Sequence, residues 1–271
     1  MIAKSARLAS ILRTSDVSRL RIADSTTTSV VVVATVDAAR LAALALARSL
    51  NLPLEDFSAA SSDLRLVQSE HDLSLHDRAS GAQLRVEFTA AQFRRFRANR
   101  DPLRRAIGPG RRDVVDATAG LGGDAVHLVA SGYRVTAIER NAVVSALACD
   151  GLARARAQGL LDADNPRWLT GDAGALLKKL DSRPATIYLD PMFPPKRKKS
   201  AAVRKEMSLL RRLGIDDADA AELLAVALAC TGERVVVKRP IDAPALADGV
   251  VAAYKGKLVR YDVYRPRSGR T

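Results

Sequence analysis

Asp113-Val-Val-Asp-Ala-Thr-Ala-Gly-Leu-Gly-Gly-Asp124 decides the fold. Val114 and Val115 begin a short apolar strand. Gly120, Gly122 and Gly123 follow as a turn with almost no side chain, and Asp124 opens a helix. A strand that runs through a glycine-rich turn into a helix N-terminus is how an α/β sheet receives a nucleotide-like cofactor. Glycine adopts unusual dihedral angles and lets a ligand approach the main chain. Asp116 narrows the choice of ligand, because it lies inside the strand four residues before Gly120. A carboxylate there repels a pyrophosphate. It suits the zwitterionic amino-acid moiety of S-adenosylmethionine, directly or through water.

Downstream, apolar runs and helical patterns alternate. Strands are expected at Tyr133–Ile138, Arg167–Thr170, Ala185–Leu189 and Arg234–Lys238. Helices are expected at Asp124–Ser131, from Asn141 to about Gln158, at Ala173–Leu180 and at Ala218–Cys230. Two last strand candidates, Val250–Tyr254 and Leu258–Tyr264, are joined by Lys255-Gly256-Lys257, a linker short enough for an antiparallel hairpin. Five βα units closed by a hairpin indicate the methyltransferase variant of the doubly wound, Rossmann-like fold, with a mostly parallel sheet.

Three acids fall at strand ends. Glu139 ends the second strand, 19 residues after Gly120, where a carboxylate accepts hydrogen bonds from both ribose hydroxyls; a pair with Arg140 is the competing reading. Asp172 ends the third, within reach of an adenine amino group, and competes with a simple N-cap for the helix that begins at Ala173. Asp190-Pro-Met-Phe193 ends the fourth. This turn suits methyl transfer to an exocyclic amine. The Asp190 carboxylate and the Pro191 carbonyl can accept its two N–H groups while Phe193 stacks on the base, a contact worth roughly 1–3 kcal/mol. A rigid proline turn with a buried Phe is the bland alternative.

Upstream, residues 1–25 show no convincing period and are expected to be a weakly ordered extension. Residues 26–108 are expected to form a small α/β module: a strand Ser29–Ala34, a helix from Asp37 to about Leu50, and strands at Leu64–Gln68, Leu73–His76 and Gln83–Phe88. Residues 109–271 form the cofactor-binding domain. The module ends in a basic block that runs on into the next domain: Arg94, Arg95, Arg97, Arg100, Arg104, Arg105, Arg111 and Arg112 stand against Asp101 alone, with Phe93 and Phe96 interleaved. A second block, Lys196-Arg197-Lys198-Lys199 with Arg204, Lys205, Arg211 and Arg212, follows the Asp-Pro turn directly. Lys238 and Arg239 add charge at the end of the fifth strand. A solvated charge run is the default for such a segment. Its position beside the base-binding turn favours phosphate contacts. The 43 Lys and Arg against 30 Asp and Glu, a formal +13, point to a nucleic-acid partner.

The remaining signals exclude other classes. Cys149 and Cys230 sit in apolar helical patterns without metal spacing and are expected as reduced core residues of a cytoplasmic protein. His71, His76 and His127 make no metal cluster. The most apolar helix candidate, Ala38–Leu50, is flanked by Arg40 and Arg48 and is too short to span a bilayer. No oligomeric state follows from the sequence.

Asp116-Ala-Thr-Ala-Gly-Leu-Gly122, Glu139-Arg-Asn141, Asp150-Gly-Leu-Ala-Arg154, Tyr188-Leu-Asp-Pro-Met-Phe-Pro194, Lys205-Glu-Met207 and Val235-Val-Val-Lys-Arg-Pro240 together resemble the RsmJ family. The similarity runs from about Val30 to the C-terminus. It implies a class I S-adenosylmethionine-dependent methyltransferase that modifies the N2 amine of a guanine in small-subunit (16S) ribosomal RNA. Its partner would be that RNA or the small ribosomal subunit. The resemblance also implies cofactor contacts at Gly123-Asp124, Glu139-Arg140, Asp172-Ala173 and Asp190. The family pattern has Arg where this chain has Gly123, so only main-chain contact is available there. A DNA or protein amino-methyltransferase with the same turn, or a non-catalytic RNA-binding assembly factor, are the alternatives.

Overall fold

Val114 and Val115 point to opposite faces of one strand, and each enters a different hydrophobic core. That alternation recurs across the larger of two sheets in the computed structural model, which describes residues 29–60, 62–96, 101–110, 112–191, 208–213 and 219–266. The extension over residues 1–25, the Phe193 ring and the Lys196–Lys199 run lie outside them. The chain divides into two units, one of residues 1–86 with 195–215 and one of 87–194 with 216–271.

In the larger unit, β6 (Asp113–Asp116), β7 (Arg134–Glu139), β8 (Arg167–Thr170), β9 (Thr186–Leu189) and β10 (Arg234–Pro240) run parallel. β11 (Ala252–Lys255) and β12 (Val259–Tyr264) complete the order β11-β12-β10-β9-β6-β7-β8. β12 is antiparallel to both β10 and β11. The expected terminal hairpin is therefore present, with its second strand inserted beside β10. One core, on the side of α4 (Gly123–Ala130), contains Val114, Leu128, Val135, Tyr188 and Val236. The other contains Val115, Ile138, Ile187, Leu189, Val235 and Val237, covered by α6 (Ala173–Leu177) and α7 (Ala220–Cys230). α5 (Ala142–Ala157) packs on β7 and β8, started by Asn141, whose Oδ1 accepts from the N–H groups of Val143 and Val144.

The basic block expected in the small module lies instead within the larger unit, as two helices. α2 (Ala90–Phe96) buries Phe93 and packs on α4, while α3 (Pro102–Ile107) packs on β10, β11 and β12. Leu103, Ala106 and Ile107 are wholly buried in the first core. The division by contacts therefore falls at Val86, ahead of both helices, where the sequence reading placed it at Gly108. The apolar side of a short basic helix is decided by the sheet it covers. Its arginines remain outward: Arg94, Arg95 and Arg105 are exposed, and Arg105 lies 5.1 Å above the Tyr254 ring.

In the smaller unit, β1 (Val30–Ala34) pairs in parallel with β2 (Leu54–Asp56) and β3 (Leu64–Gln68). β4 (Leu73–Asp77) and β5 (Gln83–Leu84) continue the sheet antiparallel, and α1 (Asp37–Leu50) packs on β1, β2 and β3. The three residues of β2 are too few to show alternation and had no sequence signal. β5 is two residues long rather than the six expected, because pairing with β4 ends at Leu84. Residues 208–212 are helical, and Leu209, Leu210 and Leu213 are buried. The Arg212 guanidinium, expected to face phosphates, is bound by Asp77 and, at 3.1 Å, by Asp63.

These placements separate two truncations. Ile107→Ala, which opens a cavity in the core of the larger unit, is expected to cost about 2–5 kcal/mol. Leu41→Ala, on the exposed side of α1, should stay within about 0.5 kcal/mol. Denaturant unfolding checks both.

Candidate active site

The parallel strands aim their carboxyl ends at one edge of the sheet, and the chain reverses its strand order between β6 and β9. Ligands of open α/β sheets bind at such a switch point. Asp116, Glu139, Asp172 and Asp190 lie at or just past strand ends on that edge, and Lys238 lies in β10, two residues before its end.

The turn after β6 is tightly fixed. Gly120 and Gly122 have φ of 54° and 85°, the left-handed region that favours glycine. A Cβ at Gly122 would sit 3.3 Å from the Trp168 ring, whereas a Cβ at Gly120 or Gly123 would meet open space. Packing therefore does not forbid a side chain at Gly123. Glu139 is buried and gathers the turn around its carboxylate: Oε2 accepts from Gly120 N–H at 2.8 Å and Oε1 from Asn141 N–H at 2.7 Å. Arg140, the competing partner in the sequence reading, donates to both oxygens of Asp219, at 3.0 and 3.1 Å.

Asp116 is 1% exposed. Its Oδ1 accepts from Thr118 N–H at 3.2 Å, and its Oδ2 has no hydrogen-bond partner among the described residues. Burial, then the charges of Asp124 and Asp190, push this carboxyl well above its ordinary range. Such a group needs a proton or a nearby cation, and the ammonium of S-adenosylmethionine is a cation of suitable size. Together with the carboxylate of Glu139 and the open space at Gly120, this donor set fits that cofactor.

Asp190 is pinned to the cofactor turn, since its N–H donates to Thr118 Oγ1 at 2.6 Å. Pro191 is buried behind it. Asp190 Oδ2 lies 2.8 Å from Lys238 Nζ, which also lies 2.7 Å from Asp124 Oδ2. The Tyr188 hydroxyl donates to that same Asp124 oxygen at 2.6 Å. Burial favours the charged form of neither partner. Lys238 nevertheless stays raised through Asp190 and Asp124, and Asp124 stays lowered through Lys238.

Two expected nucleic-acid contacts are thereby corrected. Lys238 is held between two carboxylates, and Arg239 is 4% exposed with its Nε donating to Pro244 carbonyl at 2.9 Å. Neither side chain is directed outward as a surface cation. Asp172 realises its competing reading as the cap of α6, its Oδ1 accepting from Ala175 N–H at 2.7 Å. Ala173 is buried at the first position of that helix. Sequence reasoning gave no role to Thr118 or Tyr188, although both stand inside the quoted motifs. Their hydroxyls signal nothing until β6 and β9 are paired. Cys149 has its thiol pushed up to about 11, first by burial, as befits a packed residue. Among the described residues no cluster of His, Cys, Asp and Glu could hold a metal ion, and no helix is long and apolar enough to cross a membrane.

A seven-stranded sheet with one reversed strand, and a carboxylate-lined edge that fits S-adenosylmethionine, define a class I S-adenosylmethionine-dependent methyltransferase. Residues 45–266 match the family model described as "Putative SAM-dependent methyltransferase". The chain is 44% identical to the ribosomal RNA small subunit methyltransferase J of Thioalkalivibrio sulfidiphilus, over 81% of this chain and 91% of that one. It is 42% identical to the protein of the same name from Dechloromonas aromatica, over 84% and 96%. A crystal structure of a SAM-dependent methyltransferase from Neisseria gonorrhoeae superposes with a TM-score of 0.67 at 27% identity, covering 89% of this chain and 97% of the other. The chain belongs to the ribosomal RNA small subunit methyltransferase J family.

Glu139→Gln tests the turn. An amide keeps one acceptor oxygen and sets an NH2 group against either the Gly120 or the Asn141 N–H. Affinity for S-adenosylmethionine, measured by calorimetry, is expected to fall about tenfold or more, the cost of one buried donor left unpaired.

Proposed function

We propose that this chain transfers the methyl group of S-adenosylmethionine to the exocyclic N2 amine of a guanine in small-subunit (16S) ribosomal RNA. The observation that carries the reading is the pinning of Asp190 to Thr118, which fixes an acceptor carboxylate against the cofactor turn. The names of the relatives support ribosomal RNA as the substrate. The N2 position comes from the motif resemblance and from the chemistry of the Asp-Pro turn.

When bound, the cofactor supplies an electrophilic methyl group on a sulfonium sulfur. The chain's part is binding and orientation. Asp116 would hold the amino-acid end, and the Glu139 carboxylate would accept from the ribose hydroxyls. Gly120, Gly122, Gly123 and Asp124 would let the main chain approach, and Asp172 and Ala173, with Arg140 beside them, would hold the adenine end. The lone pair of a base amine is delocalised into its ring and attacks poorly in that plane. Asp190 and the Pro191 carbonyl accept its two N–H groups and turn the lone pair toward the methyl. Phe193 would stack on the base. Orientation of this kind can supply roughly 7–11 kcal/mol of the barrier. A guanine in structured RNA must first be splayed out of its stack, at a cost of a few kcal/mol. The Lys196–Lys199 run would bind the flanking phosphates.

Incubation with labelled cofactor and naked 16S RNA, small subunits or DNA, followed by mapping of the methylated base, tests the reaction. Label at a guanine N2 of the RNA is expected. Label on DNA or protein alone would make the chain an amino-methyltransferase of another substrate, and no label on any acceptor would favour an assembly factor. Asp190→Ala should abolish turnover while cofactor affinity stays within about threefold of wild type; full activity in this variant would remove Asp190 from the chemistry. Neutralising Lys196 to Lys199 should weaken RNA binding and flatten its salt dependence by about 0.7 in slope per lost phosphate contact to single strands. An unchanged slope would return that run to solvated surface.

A further inference from the structure

Lys238, expected to contact nucleic acid, is held instead within the site. Its side chain is 22% exposed, and its ammonium joins two carboxylates that belong to different parts of the site. Asp124 stands in the first turn of α4, directly after the cofactor turn, while Asp190 opens the acceptor turn after β9. We propose that Lys238 is a positioning residue for methyl transfer, tying the acceptor carboxylate of Asp190 to the cofactor helix through Asp124. The proposal rests on the reaction read above.

Geometry and charge both support it. The 2.7 and 2.8 Å contacts make Lys238 a cross-link between α4 and the acceptor turn. Tyr188 fixes the far side of the link by donating to the same Asp124 oxygen that Lys238 contacts. Asp190 is thus held twice, by its N–H to Thr118 and by its carboxylate to Lys238. With its main chain and one carboxylate oxygen both held, Asp190 is kept from swinging away from the amine it must orient.

Charge adds a second reason. The groups whose charges act on this lysine are Asp116 from β6, Asp124 from α4, Asp190 after β9 and Tyr261 from β12, while Tyr188 and His127 act on its partner Asp124. Three carboxylates share one ammonium. Without it, Asp124 and Asp190 would repel each other, and one would take up a proton or turn outward. Proton uptake would take the charge from Asp190 and turn one of its acceptor oxygens into an O–H donor, weakening it as an acceptor of the amine N–H. The lysine also leaves the cluster short of positive charge, which suits a ligand that arrives with a sulfonium and an ammonium.

The test compares wild type, Lys238→Gln, Lys238→Arg and Asp124→Asn on small-subunit RNA with labelled cofactor, with thermal melting as the check on folding. For Lys238→Gln, kcat is expected to fall on the order of 10²-fold, as for a misplaced reacting group, while KM for RNA and the cofactor dissociation constant stay within about threefold. The acid limb of its kcat–pH profile should move to higher pH, since the acceptor carboxylate has lost its cation. Lys238→Arg should recover part of kcat and the original limb. Asp124→Asn, which cuts the other half of the link, should lower kcat in the same direction. If Lys238→Gln does not fold, the Arg and Asn variants decide. Arg with no better kcat than Gln, or Asn with wild-type kcat, overturns the role. So does a Gln variant with unchanged kcat, or one whose only defect is a raised KM for RNA with a smaller salt slope, which would mark a phosphate contact. A wild-type chain that labels no small-subunit RNA overturns the assigned reaction and this role with it.

Discussion

Hydrogen bonding of β6 between β7 and β9 is the constraint on which the site depends. Strands in parallel register end together, so Asp116 pairs with Ala137 on one side and Tyr188 on the other. The residues just beyond those ends then meet across the edge. This brings Thr118 to the main chain of Asp190, and Gly120 to the carboxylate of Glu139. Glu139 is separated from Gly120 by 19 residues, and Asp190 from Thr118 by 72. Only the pairing of the strands makes them neighbours.

The electrostatics of that edge follow from its construction. Side chains at strand ends are half withdrawn from water, and most of those here are acids. Glu139 is satisfied by main-chain N–H groups and Asp124 by Lys238 and Tyr188. Asp116 is satisfied by neither a cation nor a full set of donors, and its carboxyl rises accordingly. A site with more carboxylates than cations is poorly suited to phosphates and well suited to a cationic cofactor. Lys238 faces inward because the partly exposed carboxylates of Asp124 and Asp190 flank its ammonium at 2.7 and 2.8 Å.

Much of the site was legible because its residues sit at fixed offsets from glycine and proline. Gly120 and Gly122 do adopt the left-handed angles that their turn requires. Glu139, Asp172 and Asp190 stand at strand ends because apolar runs stop just before them. What was misread are charges whose meaning lies in a partner distant in sequence. Arg212 meets Asp63 and Asp77, 149 and 135 residues away, and Lys238 meets Asp124, 114 residues away. A run of bases looks the same in sequence whether its members face solvent or acids.

The sequence by itself determined the α/β class, the glycine turn, the acids at the strand ends and the terminal pair of strands, since each is written in local periodicity and turn chemistry. Tertiary structure decided the rest. It put β12 between β10 and β11, gave α2 and α3 to the larger unit, added β2, and turned Lys238 from an outward cation into a bridge. The physical reason is common to all four. Hydrogen-bonded pairing and burial of an apolar face are settled between segments far apart in the chain, and no local pattern records which segments will meet.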